Sequence, residues 1–97
     1  MFIVSLTYRC ELSEIEAHLA AHIEYLEQQY TLGHFLASGR KVPRTGGVIL
    51  ADMPSKEALE AVLAEDPFKQ HQLADYDVIE FIPTKTNEAL SSIRQTL

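Results

Sequence analysis

His22 and Asp66 are the residues whose types and setting best fit proton transfer. Imidazole side chains ionise near neutral pH, so they can take up and release a proton under physiological conditions. A neighbouring carboxylate fixes the tautomer through one ring nitrogen, leaves the other free, and stabilises the imidazolium. Both residues lie by apolar patterns. In the stretch 13–30, Ile15, Leu19, Ile23, Leu26 and Tyr30 recur at helical spacing. With Ile15 at zero on a helical wheel, these apolar residues fall between 0° and about 80°, His22 near −20° and His18 near −60°. His22 is therefore expected at the rim of the buried stripe, and His18 mostly in solvent. In the second helical stretch, with Ala58 at zero, a regular helix would place Asp66 near 80°, on the side of Val62, Leu59 and Leu63. Two helices on one sheet face would bring these positions into one cleft.

Asp66 also has a local reading. At the end of a helix it faces the negative end of the dipole, and Pro67 biases it away from α geometry. "DPFK" (66–69) reads equally as a new turn with Asp66 as its N-cap and Pro67 at N1. On that reading His22 is a histidine satisfied at the core edge. The sequence leaves both readings open.

The second candidate is "SGRKVPRTGG" (38–47). Arg40, Lys41 and Arg44 are three of only eight cations in a chain of net charge −6. Gly46 and Gly47 would let backbone N–H groups approach a ligand. The stretch reads as an anion site for a carboxylate or phosphate, with Ser38, Arg40 and Arg44 as substrate-binding candidates. It reads also as a solvated hairpin loop. P-loop and Rossmann spacings are both absent. His18 and His22 stand four apart, as metal ligands on a helix can, but no third ligand is near in sequence, though Asp66 or His71 could supply one in space. No metal and no cofactor are expected. Ser5 and Ser38 lack a nucleophile-elbow setting, and Cys10 has only Arg9 beside it to lower its pKa.

Positioning these groups falls to a short list of elements. "FIVSLTY" (2–8) alternates as a strand. Ser13 with Glu16 reads as a capping box for a helix over 14–31, with Gly33 as its stop. Residues 34–39 and 47–52 read as strands around a loop. Ser55 caps a helix over 54–66, residues 68–75 read as a loop, and 76–82 as a fourth strand ended by Pro83. Leu90, Ile93 and Leu97 suggest a short terminal helix capped by Asn87. The order β-α-β-β-α-β predicts an α+β, ferredoxin-like domain with both helices on one sheet face. The strands are apolar on both sides, so the open face needs a cover, and a homodimer packed sheet to sheet would supply it.

With 97 residues, 46% hydrophobic and 23% charged, the chain is one ordinary globular domain. A sequence pI near 5.0 argues against nucleic acid or an anionic membrane as a partner. No apolar run nears the ~20 residues that span a bilayer, and "MFIVSLTYRC" lacks a basic region before its short apolar run. One cysteine forms no internal disulfide. A cytoplasmic protein is expected.

The pattern "AHIEYL…GHFLASG…TGGVILAD…SKEALEAVLAEDPF…ADYDVIEFIP" resembles the YCII-related (YciI-like) family over roughly residues 1–83. The resemblance implies a dimeric α/β-barrel arrangement of ferredoxin-like subunits and a proposed active-site His–Asp pair, matching His22 and Asp66. The family glycine after the second strand matches Gly39. Many members carry Gly-Pro there, whereas this chain has Gly39-Arg40 and a shorter loop. Dehydrochlorination of a chlorinated hydroxyquinol is one activity in the family. The expected function is acid–base catalysis, lyase or isomerase in type, on a small anionic substrate. The alternative is a non-catalytic ligand-binding or interaction module on the same scaffold.

Overall fold

Alternating apolar side chains set the first strand, and the sheet is built outward from it. The computed structural model describes all 97 residues. Strand β1 (Phe2–Tyr8) pairs antiparallel with β3 (Gly46–Ala51) on one side and β4 (Ala74–Glu80) on the other. Strand β2 (Phe35–Arg40) lies outside β3, giving the order β2-β3-β1-β4. With the intervening helices this is the expected ferredoxin-like α+β arrangement. Phe2, Val4 and Leu6 are buried and share a core with Ile15, Tyr25, Phe35, Ile49, Leu59, Leu63 and Phe68.

Strand β1 falls over 2–8 as expected, while the boundaries of β2, β3 and β4 shift by one or two residues. One glycine is demanded by the sheet itself. A Cβ on Gly46 would lie 1.7 Å from the Leu6 carbonyl oxygen, so no side chain fits where β3 meets β1.

The first helical stretch departs from its reading in three ways. It is two helices, α1 (Leu12–Ala17) and α2 (Leu19–Thr31), joined at His18. His18 Nδ1 lies 3.1 Å from the Glu14 carbonyl, the acceptor its own N–H would use in a continuous helix. That N–H bonds the Ile15 carbonyl instead. Ser13 is inside α1 and makes no cap; Glu11 holds the N-cap position without a side-chain bond. The orientation of α2 differs as well. Its buried residues are His22, Tyr25 and Gln29, while Ile23 is 48% exposed. The helix is turned by roughly a quarter turn from its apolar stripe, which leaves apolar side chains facing a cleft rather than the core.

The second helical stretch is also divided. Helix α3 (Lys56–Leu63) is capped as expected, Ser55 Oγ accepting from Ala58 N–H at 3.1 Å. It ends at Leu63, not at Asp66. A short helix α4 (Pro67–Gln70) follows within the expected loop. The tail forms a 3₁₀ helix over Glu88–Ile93, with Asn87 Oδ1 accepting from Ala89 N–H. No helix is long and apolar enough to cross a membrane.

Candidate active site

Asp66 is the N-cap of α4, so the carboxylate belongs to the favourable end of the helix after it, not the unfavourable end of the helix before it. Pro67 occupies the first helical turn, where its missing N–H costs nothing. Asp66 Oδ1 accepts from the Phe68 N–H at 3.0 Å. The same oxygen lies 2.8 Å from His22 Nδ1. The local N-cap and the contact to His22 thus coexist. Because a carboxylate only accepts, the neutral ring carries its proton on Nδ1 and its lone pair on Nε2. Nε2 has no protein partner and is not sealed from solvent.

Two further side chains complete the surroundings. Tyr76 O–H donates to Asp66 Oδ2 at 2.6 Å. Phe68 stacks on the His22 ring, centroids 3.9 Å apart and planes 4° from parallel. The Asp-Pro-Phe run therefore holds the histidine twice, through the carboxylate at its edge and the phenyl on its face. Asp66 is 0% exposed, and its charge is met by three donors. Burial, then the Asp66 charge and the hydrogen bond to it, drive the Tyr76 phenol well above the ordinary range. Tyr25, which donates to the Val62 carbonyl at 2.8 Å, is raised by burial first and by Asp66 and Glu65 second.

His22 lines a cleft of about 180 Å³ between α2 and the sheet. Leu19, Ile23 and Leu26 form its helical wall, Leu6 and Ile49 its sheet wall, and Phe68 lies beside the histidine. Ser38 and Arg40 reach the cleft from β2; Ser38 is bonded to the Tyr30 hydroxyl at 2.5 Å. Arg40 has no ion pair. Arg44 is elsewhere: Nη1 donates to Glu16 at 3.2 Å on α1, while Nε and Nη2 are buried without partners. Lys41 is bonded to Thr7 Oγ1 at 3.2 Å. Of the three clustered cations, only Arg40 enters the cleft. His18 does not reach Asp66; its ring lies 4.3 Å from that of His71.

Tyr76 and Phe68 carried no functional reading in the sequence. Phe68 had a signal, since it follows Asp-Pro and its N–H is the one an Asp66 cap would take. Tyr76 had none beyond the polar tip of a strand aromatic.

The sequence profile of the YCII-related domain matches residues 1–82. The chain belongs to the YCII-related family. A search of curated proteins finds no match. Among solved structures, a similar fold occurs in 5-chloro-2-hydroxyhydroquinone dehydrochlorinase from Burkholderia phenoliruptrix AC1100, in complex with 2,5-dihydroxybenzoquinone. The TM-score is 0.73 at 20% identity, over 82% of this chain and 91% of that one. At that identity the likeness carries the fold alone. The 3₁₀ helix over Glu88–Ile93 lies outside the YCII-related match.

Proposed function

We propose that this YCII-related protein is an acid–base catalyst of lyase or isomerase type acting on a small anionic molecule. The carrying observation is His22, held at Nδ1 by a fully buried carboxylate while Nε2 is free at an apolar cleft. His22 Nε2 takes a proton from bound substrate, and Asp66 stabilises the imidazolium and holds the ring in place. The electron pair left on the substrate either expels a leaving group or is protonated at another atom, the first being elimination and the second isomerisation. Arg40, unpaired at the cleft, anchors a negative group. Ser38 adds a hydroxyl at the same wall. The similar fold of a dehydrochlorinase supports the elimination branch.

The test is turnover of a panel of halogenated and unhalogenated hydroxyquinols and small enolisable acids, read by halide release and absorbance. His22→Gln is expected to lower kcat on any accepted compound by about 10²- to 10⁴-fold. Retention of activity within a few-fold would remove His22 from the mechanism.

The proposal extends to a homodimer. Ile3, Leu50 and Ile79 form a cross-strand row on the face opposite Val4, and Val48 lies on that face beside Ser5. Ile79 is 58% exposed and Val48 39%. A second copy over this row would bury it. Sedimentation as a monomer at micromolar concentration would contradict the assembly.

A further inference from the structure

Four tyrosines occur in the chain, and three have spent their hydroxyls. Tyr76 donates to Asp66, Tyr25 to the Val62 carbonyl, and Tyr30 is bonded to Ser38. Tyr8 is the exception. Its O–H has no partner in the protein and is not sealed from solvent, and the residue lines the same cleft as His22. Four polar side chains line that cleft: Tyr8, His22, Ser38 and Arg40. With Ser38 occupied by Tyr30, three unpartnered polar tips remain over an otherwise apolar surface. They are a basic nitrogen, a neutral O–H donor and a cation.

Tyr8 is also firmly placed. It ends β1, its backbone N–H bonds the Thr45 carbonyl at 2.9 Å, and it pairs with Ala74 of β4. Its ring meets Phe68 edge-on, with centroids 6.2 Å apart and planes at 89°. Phe68 in turn stacks on His22. One phenyl ring therefore fixes both the base and the phenol.

We propose that Tyr8 is a catalytic residue whose O–H donates a hydrogen bond to the substrate oxygen that gains negative charge as His22 takes the proton. This rests on the acid–base reading of His22. The substrate class is a small apolar skeleton bearing an enolisable carbonyl or a phenolic oxygen, with a second negative group for Arg40. As the substrate's C–H or O–H bond breaks, its proton goes to Nε2 and its electron pair moves to the oxygen facing Tyr8. The Tyr8 proton stays on Tyr8, and no oxidant or reductant is needed. A donor placed in advance against developing charge acts more strongly in an apolar cleft than in water.

Ionised 4-nitrophenol is the probe, since it presents a ready-made aromatic oxyanion and its visible spectrum reports binding. Nitrobenzene, of similar shape and without the charge, is the competitor. Tyr8→Phe keeps the ring and its edge contact to Phe68. The variant is expected to bind 4-nitrophenolate about tenfold more weakly, with nitrobenzene competition and the thermal midpoint unchanged. Binding within twofold of wild type would overturn the assignment, as would failure of wild type to bind the probe at millimolar concentration. An equal loss for nitrobenzene would overturn it too, because the ring alone would then be at work. If His22→Gln abolishes turnover while Tyr8→Phe leaves probe binding intact, acid–base catalysis stands and the role of Tyr8 falls.

Discussion

Two stretches carry chemistry-bearing residues in the sequence, and folding treats them in opposite ways. Residues 66–68 converge. Asp66 meets His22, Tyr76 and the Phe68 N–H, and Phe68 covers the imidazole, all with little exposure. Residues 40–47 disperse: Arg40 goes to the cleft, Lys41 to Thr7, and Arg44 to Glu16 on α1. The first stretch is held by several partners from distant parts of the chain. The second is a cluster in composition only. Proximity in sequence gathers charges; convergence of donors from separate elements makes a preorganised group.

The strongest way to break this contrast is to empty the converging stretch. Asp66→Ala strands three buried or half-buried donors, and urea unfolding is expected to show a loss of about 3–5 kcal/mol. A loss below 1 kcal/mol would mean the three contacts are not formed together. In the dispersing stretch the weight should lie on a glycine rather than on a cation. Gly46→Ala forces a Cβ into the Leu6 carbonyl and is expected to cost about 3 kcal/mol or more. Gly39→Ala, where a Cβ meets nothing within 4 Å, should stay within about 1 kcal/mol of wild type. Equal effects would remove the close approach of β3 to β1.

Alkaline unfolding sharpens the comparison further. Tyr76 and Tyr25 stay protonated in the folded state to higher pH than in the unfolded chain. Unfolded tyrosines ionise near pH ~10, so above that pH the unfolded state binds fewer protons and stability falls as pH rises. Each of the two residues contributes up to about 1.4 kcal/mol per pH unit to that fall. Tyr76→Phe is expected to cost about 1–2 kcal/mol at neutral pH and to make the alkaline slope shallower. An unchanged slope would show that Tyr76 ionises alike in both states. The smallest effects belong to the cations. Arg44→Ala should shift stability by at most about 1 kcal/mol and leave cleft binding alone. Arg40→Ala should leave stability alone and weaken an anionic cleft ligand about tenfold. Reversal of that pair would move the anion site to Arg44.

The sheet was readable because period-two alternation depends only on neighbours along the chain, and β1 falls over 2–8 as expected. The break at His18 was not readable, because it comes from a side chain bonding its own helix. Nor was the orientation of α2. Apolar periodicity placed Ile23 with the buried residues, but a helix bordering a cleft turns apolar residues toward that cleft and sends His22, Tyr25 and Gln29 inward. Asp66 could be read two ways because both hold at once: a single oxygen, Oδ1, serves the Phe68 N–H of the cap and His22 together, while Oδ2 takes the Tyr76 O–H that neither reading foresaw. Tyr76 and Tyr8 escaped notice since an O–H means little until its partners, or their absence, are known.

The order β2-β3-β1-β4 leaves two sheet edges open to strand addition by a neighbouring molecule. Neither edge invites it. The pairing of β2 slips register between Phe35 and Ala37, and β4 carries Asp75, Asp77 and Glu80 within seven residues. Irregularity guards one border and like charge the other. Both features oppose edge-to-edge pairing, so growth of the sheet by strand addition is disfavoured even though one of its faces is apolar.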